Sequence, residues 1–195
     1  MVLELSTKGD LESLITRRKE QNVPFTEAEV VRIIVNIILA LAELEDRGIL
    51  HRDLKALNIL IFGEDGREYL KISDFGISKC KNSTNFNDLT SVISGTIPIC
   101  SPERFQGVSN SDKEDVWALG ILAFYLCTFR YPFVGPDLQL SILRDQPPSI
   151  DHTQYSSELQ ALINVLLTKD FHARPNIKDL IQNNHFVQKG ISEFD

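Results

Sequence analysis

His51-Arg52-Asp53-Leu54-Lys55-Ala56-Leu57-Asn58 is one short run, and Asp74-Phe75-Gly76 follows it beyond a turn-forming stretch. Together these residues supply a proton-accepting carboxylate in Asp53, a phosphate-seeking ammonium in Lys55, and hard oxygen ligands in Asn58 and Asp74. Gly76 lets the chain turn beside them. Such a set is most of one half of a phosphoryl-transfer site. An isolated loop aspartate is far more often a turn or cap residue than a base, so the combination H-R-D-x-K-x-x-N carries the reading.

The flanks place this chemistry on loops between small strands. Ile49-Leu50 and Ile59 to Phe62 read as short apolar strands on either side of the run. Gly63-Glu64-Asp65-Gly66 turns into a third strand, Tyr69 to Ile72. Upstream, Thr26 and Glu29 form a capping-box signature. Val30, Ile33, Ile34, Ile37, Leu41 and Leu44 then recur at helical spacing, and Gly48 supplies the stop. That long helix, apolar on more than one face, is central to the fold. Asp10 caps a short surface helix running to Glu20, with Leu11, Leu14 and Ile15 on one face. Met1 to Leu5 reads as the last strand of a sheet whose other strands lie upstream.

Downstream, Asn82 to Ser94 is polar, without helical or strand period, and is expected to be a mobile loop. Lys113 to Thr128 is a second strongly apolar helix, nearly buried. Further helices are expected at Asp137 to Arg144, Ser156 to Leu167 and Asn176 to Gln182, punctuated by Pro132, Pro136, Pro147, Pro148 and Pro175. After Gln188-Lys189-Gly190, Ile191 to Asp195 is expected to fray. The fold class is mainly α with a few short β-strands.

The 195 residues are 43% hydrophobic and 24% charged, enough apolar material for one compact domain. A net charge of −7, from 27 acidic and 20 basic residues, argues against a nucleic-acid partner. Cys80, Cys100 and Cys127 lack close-paired metal-ligand spacing and read as reduced thiols, which favours an intracellular setting, cytoplasm or nucleus. The longest apolar stretch, Val30 to Ala42, is broken by Arg32 and Asn36 and is too short for a bilayer, so no membrane partner is expected. The opening Met1-Val2-Leu3-Glu4 turns acidic at once and does not read as a secretory signal.

The chemistry follows from the residue types. A hydroxyl that receives a phosphoryl group must be oriented and relieved of its proton late, and Asp53 is the acceptor for that proton. Lys55 neutralises charge on the transferring phosphate. Asn58 and Asp74 suit magnesium, which keeps few protein ligands and takes the rest from phosphate and water.

In these motifs the chain resembles the eukaryotic protein kinases, specifically their C-terminal lobe, over nearly all 195 residues. The resemblance implies a protein-kinase-like lobe with a hinge at 3–9, a catalytic loop at 51–58 and an activation segment at 74–103. By it, Asp53 is the base, Lys55 the phosphate-contacting lysine, and Asn58 and Asp74 the ligands of Mg2+ serving ATP. His51 and Phe75 stack behind the site, and Arg52 awaits a phosphate on the activation segment. Ser101-Pro102-Glu103 stands where the family has A-P-E. Arg174 resembles the arginine that pairs with that glutamate inside the lobe. Asp115 resembles the helix aspartate that accepts from the catalytic-loop backbone, though on its own it also reads as a helix N-cap.

Lys55 and the Gly95-Thr96 pair favour serine/threonine specificity. Glu4, Leu5 and Gly9-Asp10-Leu11 resemble the NIMA-related kinases. That likeness implies Leu3 as gatekeeper, backbone groups of Glu4 and Ser6 facing adenine, Asp10 near the ribose and Leu60 beneath the ring.

The chain also departs from the pattern. It contains no glycine-rich loop, no V-A-I-K lysine and no helix glutamate to pair with it, so the N-terminal lobe is expected to be absent. The nucleotide would rest on a floor without a roof, and the isolated chain is expected to have little or no activity. Leu3, Leu5 and Leu60 would leave an apolar face seeking that lobe or a partner. Val92 occupies the usual phosphoacceptor position, with Thr90, Ser91 and Ser94 as neighbouring candidates. Ile97-Pro98-Ile99 alters the pocket beyond Thr96. The leading expectation is a serine/threonine kinase lobe acting on protein substrates. A non-catalytic, protein-binding lobe is the alternative, and the G-T and S-P-E elements argue against a small-molecule kinase.

Overall fold

A computed structural model describes residues 6–64, 68–74, 99–108 and 113–193. The second helix, α2 (Glu27–Asp46), organises the rest. Its start is the expected capping box: the Thr26 hydroxyl accepts from the Glu29 amide, and the Glu29 carboxylate accepts from the Thr26 amide. Its end is a Schellman turn, with Gly48 at φ 70° donating to Glu45 O and Ile49 donating to Leu44 O, each at 2.9 Å. Val30, Ile33, Ile34, Ile37, Ile38 and Leu41 are buried along it. Before it, α1 (Leu11–Glu20) is capped by Asp10, whose Oδ1 accepts from Ser13 N at 2.7 Å, and it buries Leu11 and Ile15.

The expected strand at Ile49-Leu50 is not formed. The amide of Ile49 is spent closing α2, and the amides of His51 and Arg52 go to a side chain of another helix, so the run does not continue as a ladder. The hairpin itself is as read: β1 (Ile59–Phe62) pairs antiparallel with β2 (Tyr69–Ile72), Ile59 opposite Ile72 and Phe62 opposite Tyr69. The other edge of β1 is covered by the segment entering α1, through Lys8 N to Ile61 O at 3.2 Å and Ile61 N to Gly9 O at 2.9 Å. The expected strand at Met1 to Leu5, the loop at Asn82 to Ser94 and Cys80 lie outside the described residues.

A single turn, α3 (Pro102–Phe105), holds the S-P-E glutamate and was not expected as a helix. The long α4 (Glu114–Thr128) is buried from Glu114 to Cys127, as an all-round apolar helix must be. It packs on α2 and on α6 (Ser157–Leu166). Gly120 permits that approach, since a Cβ there would come within 2.8 Å of the Leu167 side chain. α5 (Leu138–Arg144) and α7 (Ile177–Asn183) fall where periodicity and caps place them.

A last helix, α8 (His185–Ser192), was not expected and takes in Ile191 and Ser192 of the end expected to fray. Asn184 caps it by accepting from Val187 N at 3.1 Å, and Val187 is buried. Gly190 lets the helix lie directly on α2, where a Cβ would meet Val35 Cγ2 at 2.8 Å. Among the described residues no helix is long and apolar enough to cross a membrane.

Candidate functional site

The loop from His51 to Asn58 is held from below by one carboxylate. Asp115, in the first turn of α4, accepts from the amides of His51 at 2.9 Å and Arg52 at 2.8 Å, one with each oxygen. It therefore serves the loop backbone and is not the helix cap, which is Lys113. Burial pushes its carboxyl up from the ordinary range, while the two amide bonds and nearby His51 and Arg52 pull it back. The anchorage supports a left-handed backbone at Arg52, φ 63°, which costs a non-glycine residue about 1 kcal/mol or more.

His51 is fully buried and links the loop to the strand end. Its Nε2 faces the Ser73 carbonyl at 2.9 Å, and its Nδ1 accepts from Asp53 N at 3.3 Å. A carbonyl only accepts, so the proton sits on Nε2 and the ring is fixed in one tautomer. Asp53 is thereby oriented through its own backbone.

The candidate base, phosphate-seeking lysine and amide ligand meet in one cluster. Asp53 Oδ2 accepts from Lys55 Nζ at 2.9 Å and from Asn58 Nδ2 at 3.1 Å. Asn58 Nδ2 also donates to the Asp53 carbonyl at 2.8 Å. Both amide hydrogens of Asn58 thus point at Asp53, which leaves its Oδ1 as the atom available to a cation. Asp53 Oδ1 likewise makes no hydrogen bond among the described residues, and the Asp53 side chain is 39% exposed. Asp74 is exposed and sits at φ 62°, immediately after Ser73, whose amide donates to Asn58 O at 2.8 Å.

The donor set fits a magnesium ion bound together with phosphate. Asn58 and Asp74 offer oxygens alone, which suits a hard ion that fills its shell from phosphate and water. Among the described residues no group of three or more histidine, cysteine or acidic side chains is placed to hold a metal by itself.

Arg52 is half-buried, and its Nε is buried without a hydrogen-bond partner among the described residues. The other expected structural pair is complete. Arg174 meets Glu103 through Nη1 to Oε1 at 2.7 Å and Nη2 to Oε2 at 3.0 Å, both side chains fully buried. Arg174 also donates to the carbonyls of Thr168 at 2.8 Å and Lys113 at 2.9 Å, and lies 5.0 Å over the Trp117 ring. Glu103 thus ties the end of the segment that follows Asp74 to the helical core.

Of the hinge residues, Ser6 is half-buried and its hydroxyl donates to the carbonyls of Gly9 and Ile61, each at 2.7 Å. Asp10 caps α1, and Leu60 is half-buried on β1 opposite Lys71. Leu3, Glu4, Phe75, Gly76, Thr90, Ser91, Ser94 and Thr96 lie outside the described residues. Ser73 escaped sequence reasoning, and the only available signal was its position between a strand and an aspartate two residues before glycine.

A loop that presents a carboxylate, a lysine and an asparagine from one turn, followed by an aspartate past the next strand end, carries groups that phosphoryl transfer uses. The chain belongs to the protein kinase family, whose domain matches residues 1–186. The probable serine/threonine-protein kinase nek3 of Dictyostelium discoideum is 36% identical over 186 residues, 93% of this chain and 16% of that protein. The human serine/threonine-protein kinase Nek2 is 33% identical over 192 residues, 94% of this chain and 42% of that protein. Mitogen-activated protein kinase kinase 1 of Arabidopsis thaliana is 31% identical over 194 residues, 94% of this chain and 52% of that protein. The chain therefore spans from 16% to 52% of the length of these relatives.

Proposed function

We propose that this chain carries the catalytic-loop half of a serine/threonine protein kinase that transfers the γ-phosphate of ATP to hydroxyls of protein substrates. The observation that carries the reading is the convergence of Lys55 and Asn58 on Asp53. In it Asp53 accepts the proton of the substrate hydroxyl at its open oxygen, and Lys55 turns from Asp53 to the transferring phosphate. Asn58 and Asp74 hold the magnesium ion, which when bound neutralises phosphate charge. Ser6 and Leu60, with Leu3, Glu4 and Asp10, border the nucleotide, and Arg52 receives a phosphate carried on Thr90, Ser91 or Ser94. The Arg52 Nε, without a hydrogen-bond partner among the described residues, supports that last role. Relatives named as Nek kinases support a place among the NIMA-related enzymes; a setting in the cytoplasm or nucleus rests only on reading the cysteines as reduced thiols.

No glycine-rich loop or V-A-I-K lysine occurs in these 195 residues. The residues are therefore a C-terminal lobe that works with an N-terminal half, and alone they bind partners or substrates without efficient turnover. The test is phosphate transfer from radiolabelled ATP to a serine/threonine peptide library, by the chain alone and by the chain joined to a kinase N-terminal lobe. The joined protein is expected to turn over and to lose at least about a thousandfold with Asp53→Asn. Full turnover by the chain alone would refute the need for a second half. Activity surviving Asp53→Asn would refute the role of the base.

A further inference from the structure

We infer that Ser73 is a positioning residue for the Asn58 and Asp74 oxygens, acting through its hydroxyl on the Asn58 carbonyl. Every polar group of Ser73 is directed at the loop that carries the chemistry. Its amide donates to Asn58 O at 2.8 Å, its hydroxyl donates to the same oxygen at 3.2 Å, and its carbonyl faces His51 Nε2 at 2.9 Å. A carbonyl oxygen has two lone pairs, so Ser73 alone fills the acceptor capacity of Asn58 O. From the other side, Asp53 takes both hydrogens of the Asn58 amide. Asn58 is thus held at its backbone by Ser73 and at its side chain by Asp53, with Oδ1 making no hydrogen bond among the described residues.

The same residue fixes where Asp74 begins. The hydrogen bond from the Ser73 amide to the Asn58 carbonyl continues the hairpin by one step beyond the Ile59 and Ile72 pair, and Asp74 then turns into the left-handed region at φ 62°. A non-glycine residue stays there only where its neighbours over-determine it. The amide and carbonyl of position 73 belong to any residue, so the hydroxyl is what serine contributes. Its bond to Asn58 O restrains the residue before Asp74 against the backbone of the residue that offers Oδ1. This goes beyond the proposed function by adding a residue to the site, and it rests on Asn58 and Asp74 being the magnesium-binding pair.

The test combines calorimetric titration of Mg·ATP with amide hydrogen exchange of β1, on the chain and its Ser73→Ala, Ser73→Thr and Asp74→Asn variants. Ser73→Ala is expected to weaken Mg·ATP binding about fivefold, as loss of one ordinary hydrogen bond does, with β1 exchange unchanged. Ser73→Thr, which keeps the hydroxyl, is expected to restore affinity to within about twofold. Wild-type affinity in Ser73→Ala, alongside a clear loss in Asp74→Asn, overturns the inference and leaves the magnesium pair standing. Weakened binding that comes with faster β1 exchange and is not rescued by threonine also overturns it, because the hydroxyl then serves only the hairpin. Equal titrations of wild type and Asp74→Asn, or no binding to either, overturn the magnesium pair and the inference with it.

Discussion

Replacing Arg174 by methionine strands a buried carboxylate, and the cost follows from the geometry. The guanidinium makes a two-pronged pair with Glu103 and donates to the Thr168 and Lys113 carbonyls, with both charged side chains fully buried. Removing one partner of such a pair leaves an uncompensated buried charge and costs about 3–5 kcal/mol. Against a total stability of about 5–15 kcal/mol, that is a large fraction. With a urea m-value of about 2 kcal/mol/M, the unfolding midpoint falls by roughly 2 M. Glu103→Leu combined with Arg174→Met removes both charges and is expected to recover at least about half of the loss, because apolar replacement of a whole buried pair is often close to neutral. Equilibrium urea unfolding followed by Trp117 fluorescence reads both. A loss below about 1 kcal/mol in Arg174→Met, or a double variant no better than the single one, would refute the account of this pair as a mutually dependent clamp.

Other consequences are equally direct. Asp115→Asn keeps one acceptor oxygen where two amides need one each, so it is expected to cost about 1–3 kcal/mol and to speed exchange at the His51 and Arg52 amides, read by hydrogen exchange. Gly190→Ala drives a Cβ to 2.8 Å from Val35 Cγ2 and is expected to destabilise by about 1–3 kcal/mol, checked by thermal unfolding. Lys169 lies 4.0 Å over Phe133, donates to the Ile142 carbonyl, and is pushed by burial from 10.5 down to about 8, with Asp145 pulling the other way. The folded state therefore holds fewer protons than the unfolded chain between those two values, and stability rises with pH across that window. The gain is on the order of 1 kcal/mol once the half-exposed site is discounted for screening. Lys169→Met is expected to remove that rise, measured as urea midpoints from pH 7 to 11.

What was legible in the sequence was what is encoded locally. The Thr26 and Glu29 capping box, the Gly48 stop and the Ile59 to Ile72 hairpin each depend on residues within a few positions of one another, and each was found where read. The errors came from long-range partners. Ile49-Leu50 looked like a strand by hydropathy, but the Ile49 amide closes α2 and the amides of His51 and Arg52 just after it go to Asp115. The last helix was missed because its reason for forming, a close approach to Val31 and Val35 through Gly190, lies on another element. In the candidate site, residue types singled out Asp53, Lys55 and Asn58, and only the structure showed that they cluster, with Asn58 turning its nitrogen to Asp53. Ser73 was invisible because its importance lies in three bonds to residues at least 15 positions away. The Asp115 alternatives were separated by the same kind of contact, since both of its oxygens go to the amides of His51 and Arg52.

The central claim is that these residues form a magnesium-nucleotide half-site. The direct measurement is calorimetric titration of Mg·ATP into the chain and into Asp74→Asn, at matched protein concentration and ionic strength. The account predicts saturable binding to the chain and affinity weakened at least about tenfold by the substitution, since one of two protein oxygens on the ion loses its charge. Equal affinity for both proteins, or no binding to either, would contradict it.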